Sequence, residues 1–382
     1  MKELTEENSK DNVQQLEVQS PLTQPKSDGI KIKYVIMIMG ITLIIVAIII
    51  LLIILFIIKE EEIDNWDISY KKAENFINKL NLTEKINLLF GTQNMKGSSI
   101  IIEDESEKEF LCVGQIDPFK NEKVNFKGMC LQDGPAGVRF ANGTSISWQA
   151  AINTAATFNK NLMYEIGRAQ GKENRIKGIN AFLAPCANMM RSPQGGRVWE
   201  AFGDDPFYTG ICASQVIKGI QKEGVIATIK HFVGNDQETY RKASSSNMDK
   251  QTLMDIYVEP FYRAIHDGNV GAIMSGYNAI NNIYCDENHF ILTDVLRGIL
   301  NFKGFVMSDW WGVYSNHTNT INSGLDMNMP GGKGYGPFDE KRKYDYYGRS
   351  NSYWSYLEKD IEKNRVKETK VKKKVENNKL AA

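Results

Sequence analysis

Val225-Ile226-Ala227-Thr228-Ile229-Lys230-His231 and Gly304-Phe305-Val306-Met307-Ser308-Asp309-Trp310 are the two stretches that decide the fold. Each starts as an apolar run of strand length and ends abruptly on residues that ionise, hydrogen-bond or stack. Two more stretches share the pattern: Asn180-Ala181-Phe182-Leu183-Ala184-Pro185 leads into Cys186-Ala187-Asn188, and Val270-Gly271-Ala272-Ile273-Met274 leads into Ser275-Gly276-Tyr277-Asn278. Between them, Asp249 to His266 and Thr293 to Leu300 place apolar residues at helical spacing, and the strand-helix unit recurs roughly every 30 to 50 residues. That alternation predicts parallel strands joined by crossover helices. An open doubly wound sheet is the rival, but no Gly-x-Gly-x-x-Gly follows a strand. Polar residues at the ends of many different strands are what a TIM barrel gathers on its active face. The expected fold class is therefore α/β, a TIM-barrel-like domain preceded by a single transmembrane helix.

Among the strand-end residues, Asp309 stands beside Trp310 and Trp311, and a carboxylate next to large aromatic faces suits a sugar, whose C–H faces stack while its hydroxyls seek polar partners. Capping of a following helix is the competing reading of the same Asp. Lys230 and His231 are adjacent, so a regular pleat would point them to different sides of the strand end, where both could still donate to a polar ligand. His231 is equally readable as a structural histidine bound to a loop carbonyl. Gly195-Gly196-Arg197-Val198-Trp199-Glu200 offers an Arg that Glu200 can hold by a forked pair, or an ordinary surface salt bridge. Asp133-Gly134-Pro135 reads as a turn before it reads as a site. Together Asp133, Arg139, Arg197, Lys230, His231, Tyr277 and Asp309 form a polar constellation spread over several strand ends, with Trp310 beside it.

The rest of the chain frames this domain. Its 382 residues carry 46 Lys+Arg against 46 Asp+Glu, which excludes a nucleic-acid binder built on a cationic face. With 42% hydrophobic and 10% aromatic residues, wholesale disorder is excluded as well. From Tyr34 to Ile58 run 25 residues without a charge, of which only Gly40 and Thr42 fall outside the hydrophobic set. As a helix this run rises about 37 Å, enough to cross a hydrocarbon core of about 30 Å. It is too long for the apolar region of a cleaved signal peptide, and Lys59-Glu60-Glu61-Glu62 follows it. Lys26, Lys31 and Lys33 on the near side predict a cytosolic N-terminus, hence a single-pass type II protein whose bulk is lumenal or extracellular. Asn81, Asn142 and Asn316 head sequons on that side and are candidate glycosylation sites. Residues 1–33 read as a disordered cytosolic tail, 34–58 as the span, 63–375 as the TIM-barrel-like domain and 376–382 as a tail. All five cysteines follow the span, and five being odd leaves at least one unpaired. With no Cys-x-x-Cys and no ligand spacing among His231, His266, His289 and His317, no metal is expected.

Leu131-Gln132-Asp133-Gly134-Pro135-Ala136-Gly137-Val138-Arg139, Gly196-Arg197-Val198-Trp199-Glu200-Ala201-Phe202-Gly203-Asp204-Asp205-Pro206, Lys230-His231-Phe232, Tyr277-Asn278 and Ser308-Asp309-Trp310 resemble, in order and spacing, the motifs of glycoside hydrolase family 3, and within it the fungal-type β-glucosidases. The resemblance runs from about Trp66 to about Val375. It implies a TIM-barrel-like catalytic domain, Asp309 as the nucleophile of a retaining reaction, and no cofactor. It further implies that Asp133, Arg139, Arg197, Lys230, His231 and Tyr277 bind the hydroxyls of a terminal glucose while Trp310 packs on the ring. The substrate expected is a β-glucoside or short β-glucan oligosaccharide. Cys112 and Cys130 match positions that pair in relatives, while Ser275-Gly276 stand where a partner for Cys285 would be, leaving Cys285 as the odd thiol.

The resemblance also implies an acid/base Glu in a second, sandwich domain, into which this sequence does not extend, and Lys230 to Glu238 lack the Asp-His loop of the family's single-domain members. General acid assistance is worth roughly 10²- to 10⁴-fold. The leading expectation is thus a membrane-anchored β-glucosidase-like hydrolase. A catalytically weak sugar-binding barrel is the alternative, and another chain supplying the acid/base is a third. Glu358 to Ala382, with nine Lys+Arg against five Asp+Glu, reads as a solvated helix.

Overall fold

The computed structural model describes residues 28–91, 112–139, 144–313, 317–330 and 357–379. The chain divides into two compact units, Met1–Asp64 and Asn65–Ala382.

Most of the helix Asp28–Ile77 lies in the first unit, where its stretch Ile32–Ile53 has a mean hydropathy of 3.4 and no part of it buried. By length and composition it can cross a membrane. Asp28 to Lys33 were expected in a disordered tail and are helical instead. Once the apolar run has nucleated a helix, each added turn costs little, so the helix propagates into its polar flank.

The second unit is built on a six-stranded sheet in the order β1-β4-β5-β6-β8-β11. In chain order the strands are β1 (Gly114–Ile116), β2 (Phe119–Lys120), β3 (Asn125–Phe126), β4 (Met129–Gln132), β5 (Ala181–Phe182), β6 (Ile226–Phe232), β7 (Ser245–Ser246), β8 (Ala272–Ser275), β9 (Ala279–Ile280), β10 (Ile283–Tyr284) and β11 (Phe305–Met307). Strands β4, β5, β6, β8 and β11 pair in parallel. All seven residues of β6 are buried, as expected for a parallel strand covered on both faces. β1 runs antiparallel to β4, which strand-helix alternation does not predict. The chain returns there through the β2-β3 hairpin and needs no crossover helix. Beyond β11 the sheet keeps curling through single bridges from Met307 to Met327 and from Asn328 to Phe90. The Trp310 indole N–H then reaches the Val113 carbonyl at 2.9 Å, and a Cβ at Gly114 would collide with Trp310 and Met329. Among the described residues no ladder joins Phe90 to β1, so the TIM-barrel-like sheet is a curled half-barrel completed by side chains.

Helices clothe the sheet. Lys160–Ile176 and Pro206–Lys222 pack so closely that a Cβ at Gly167 or Gly219 would strike the other helix's backbone. Asp205 caps the second, its Oδ1 accepting the Tyr208 N–H at 2.6 Å, with Pro206 at the first position. At the C-terminal ends of the strands, β7 from the loop after β6 pairs with β9, which pairs with β10, both from the loop after β8. This small sheet ties together two loops that carry site residues.

The C-terminal helix departs from the sequence reading. Glu368–Lys379 is packed, with Val371 and Val375 fully buried and Asn377 buried, so residues 376–379 are part of the domain and not a tail. The buried Asp326 gathers it in, accepting from Arg297 Nη2 at 2.5 Å, the Val306 N–H at 2.7 Å, Asn377 Nδ2 at 3.0 Å and Lys374 Nζ at 3.1 Å. Cys112 and Cys130 form a disulfide, while Cys186, Cys212 and Cys285 are free and buried, so three thiols are unpaired.

Candidate active site

The parallel register of β6 on β8 slips between Lys230 and Phe232, leaving His231 as the extra residue of a bulge. A regular pleat would send Lys230 and His231 to opposite faces; the bulge re-aims the second, and both reach one site. Lys230 Nζ donates to Asp133 Oδ1 at 2.8 Å, joining the end of β6 to the end of β4. His231 Nε2 lies 3.6 Å from Asp309 Oδ2, joining β6 to the end of β11. Arg197 donates from Nη1 to His231 Nε2 at 3.1 Å and forks onto Glu200, Nε to Oε1 at 3.2 Å and Nη2 to Oε2 at 2.7 Å. Glu200 is buried, so this pair belongs to the interior and not to the surface. Tyr277, beyond β8, donates its hydroxyl to the Trp310 carbonyl at 2.8 Å, and the Arg241 guanidinium lies over its ring at 4.5 Å. Arg139 is more peripheral, 3.5 Å from Asp133 Oδ2 and largely exposed.

Asp309 is the centre of this arrangement. Its Oδ1 accepts the Trp310 N–H at 2.7 Å, whereas its buried Oδ2 has no hydrogen-bond partner. It caps no described helix. Trp310 is buried beside it with its N–H engaged by Val113.

Burial pushes the Asp309 carboxyl above its ordinary value, against the pull of Lys230, Arg197, the Trp310 amide and the nearby Tyr277 hydroxyl. Burial alone would raise Asp133 too, but Lys230, Arg139 and Arg197 hold it below the usual carboxylate value. For Arg197, Glu200 outweighs burial and keeps the guanidinium charged. Burial, reinforced by Arg197 and Lys230, drives His231 well below its ordinary value, so the ring is neutral near pH 7. The cations Lys230 and Arg197 thus have carboxylate partners of their own, and Asp309 keeps an open oxygen among donors. Such a site fits a neutral ligand rich in hydroxyls and an electrophile presented to Oδ2. An open cleft with about 630 Å³ of empty space adjoins it, lined by the Gly134–Arg139 loop, Ser145–Ser147 and Trp199-Glu200.

Residues 114–377 match the family model described as "Glycosyl hydrolase family 3 N terminal domain". The chain belongs to glycosyl hydrolase family 3. It is 42% identical over 276 residues to "Probable beta-glucosidase F" of Neosartorya fischeri, an alignment covering 70% of this chain and 30% of that protein. It is 41% identical over 280 residues to "Beta-glucosidase 1" of Aspergillus aculeatus, with the same coverage. Among solved structures, a β-glucosidase from Chaetomella raphigera superposes with a TM-score of 0.71 at 35% identity, over 83% of this chain and 40% of that one. β-Glucosidase 3B from Thermotoga neapolitana, solved in complex with glucose, gives 0.70 at 30% identity, over 80% and 42%. The chain therefore spans about 30% of the length of these curated relatives.

Within this family 3 fold, Asp133, Arg197, Lys230, His231, Tyr277 and Asp309, expected from sequence, converge, with Arg139 at the edge. Asn81 is exposed, and its Oδ1 caps the helix Leu82–Asn87 by accepting the Glu84 N–H at 2.8 Å. Asn142 and Asn316 lie outside the described residues. Two groups near the site were not singled out: Asn188, which clamps His231, and Arg241, which bonds Glu238 at 2.8 Å while covering Tyr277. The signal for Asn188 was its place at the end of a strand-like run. Arg241 sits in a long loop where periodicity says nothing.

Proposed function

We propose that this family 3 chain carries the glycone-binding and nucleophilic machinery of a membrane-anchored, retaining β-glucosidase acting on terminal non-reducing β-D-glucosyl residues of short oligosaccharides. One observation carries the reading: Asp309 holds a buried Oδ2 without a hydrogen-bond partner, beside Lys230, His231 and Arg197. In this mechanism ionised Asp309 Oδ2 attacks the anomeric carbon as the bond from that carbon to the leaving oxygen breaks, giving a glycosyl-enzyme. Water then attacks the same carbon, losing a proton to the group that protonated the leaving oxygen, and returns the carboxylate; two inversions give net retention. Asp133 accepts from glucose hydroxyls, Lys230 and Arg197 donate to them, His231 stands beside them with Nε2 engaged by Arg197, and Trp310 walls the ring. Tyr277 orients the turn after Asp309 through the Trp310 carbonyl. No cofactor enters these steps.

Asp133 and Glu200 are held in ion pairs with Lys230 and Arg197, so neither is the group that gives a proton to the leaving oxygen. Glucosides with acidic phenol leaving groups, which need no proton, are the substrates of choice for a test. Family membership and the convergence around Asp309 favour the hydrolase over the sugar-binding barrel. The apolar helix stretch Ile32–Ile53 supports anchoring, with the lysines before it favouring a type II orientation. Following dinitrophenyl β-D-glucoside hydrolysis by proton NMR, the reading requires β-glucose as the first product. Release of α-glucose first would refute retention, and no hydrolysis above the buffer rate would refute the activity.

A further inference from the structure

His231 is held by Asn188, which lies two residues beyond the bridge of Cys186 to Lys230 and is buried. Asn188 Oδ1 accepts the His231 backbone N–H at 2.9 Å and lies 2.8 Å from His231 Nδ1, while Nδ2 donates to the His231 carbonyl at 3.0 Å. The two backbone contacts admit one orientation of the amide. Turned over, Nδ2 would face an N–H and Oδ1 a carbonyl oxygen. With Oδ1 set against Nδ1, the ring proton must sit on Nδ1. Nε2 then carries a lone pair, and that is what Arg197 Nη1 requires at 3.1 Å, because a guanidinium can only donate. A lone pair at Nε2 cannot donate to Asp309 Oδ2 at 3.6 Å, which accounts for the absence of a partner on that oxygen.

We propose that Asn188 is a positioning residue that fixes His231 as the neutral Nδ1–H tautomer, so that the ring accepts from Arg197 and leaves Asp309 Oδ2 open to react. The reactive role of Oδ2 rests on the nucleophile reading above; the tautomer does not. The surrounding charges act in the same sense. Burial opposes a second proton on the ring, and Arg197, Lys230 and Arg241 add to it. Asp309 is the anion facing Nε2, Glu200 is neutralised by Arg197, and the Cys186 thiol, 4.0 Å from Nδ1, is pushed up to about 11 by burial and stays protonated.

The test uses the full chain in detergent, labelled with ¹⁵N-histidine, with the His231 signals assigned by their loss in His231→Gln. The wild-type ring should show a protonated Nδ1 and an unprotonated Nε2 throughout pH 5 to 8. Asn188→Asp keeps the acceptor but adds a charge and removes the donor, so His231 should titrate about one pH unit or more higher. Asn188→Ser removes the clamp without a charge and should give a mixture of tautomers. Glycosyl-enzyme formation should slow most in Asn188→Asp at the acid end, where the ring carries two protons and donates to Oδ2. An Nε2–H tautomer in the wild type, or a wild-type ring titrating at its ordinary value, would overturn the proposal, as would wild-type ring signals in both variants. Should Asn188→Asp not fold, the wild-type and Asn188→Ser spectra decide. The tautomer found without glycosyl-enzyme formation would sink the nucleophile reading alone.

Discussion

At the scale of single residues, the site is a set of charges sorted by partner. Lys230 and Asp133 are each other's compensation, so Lys230→Met strands a mostly buried carboxylate and should destabilise the fold by about 3 kcal/mol, read from the urea midpoint. The pH dependence has a definite sign. Asp133 has a depressed folded-state pKa, so its stabilisation is full above the ordinary carboxylate value and is lost as pH falls through the folded value. Lys230→Met should therefore also flatten the acid side of the stability profile. Asp236 behaves oppositely: burial raises it to about 6, so the folded state binds its proton more tightly and stability falls as pH rises from about 4 to about 6. Asp236→Asn keeps an oxygen for the Met189 N–H, which Oδ1 now accepts at 3.0 Å, and should be more stable than wild type by about 1–2 kcal/mol at pH 7.5. The same substitution should change nothing at pH 4, and urea titrations at both pH values check it. The sequence displayed Asp309, Lys230 and His231 because each ends an apolar run. Asn188 also ends one, but an amide has no charge to announce it, and its value lies in the orientation that two backbone contacts impose.

At the scale of elements, what the sequence displayed was the alternation of apolar strands and amphipathic helices; β5 and β11 fall inside the runs that suggested them, and β6 and β8 begin inside theirs and run slightly past the ends. Hidden from it was the bulge at His231, since a register slip leaves no mark on hydropathy. The C-terminal helix differs from its sequence appearance for another reason. Its lysines gave a solvated composition, while Val371 and Val375, one helical turn apart, face inward and Lys374 reaches Asp326. That cluster makes the helix part of the fold. Asp326→Ala would leave Arg297 and the largely buried Lys374 without their shared carboxylate, and should cost about 3–5 kcal/mol, measured by thermal or urea denaturation. A loss below about 1 kcal/mol would mean that the helix is held by Val371 and Val375 alone.

At the scale of the whole molecule, an apolar helix and a family 3 barrel share one chain, and each implies a separate experiment. For the helix, the chain should sediment with membranes through an alkaline carbonate wash and enter solution only with detergent; release by carbonate would contradict anchoring. For the barrel, the central claim is that Asp309 is the nucleophile of a β-glucosidase. The direct measurement is to incubate the full chain with a 2-deoxy-2-fluoro-β-D-glucoside bearing a dinitrophenyl leaving group, digest it, and locate the added sugar mass by peptide sequencing. The account predicts one fluoroglucosyl group on Asp309 and none in Asp309→Asn. A label on another carboxylate, or a label that survives in Asp309→Asn, would contradict it.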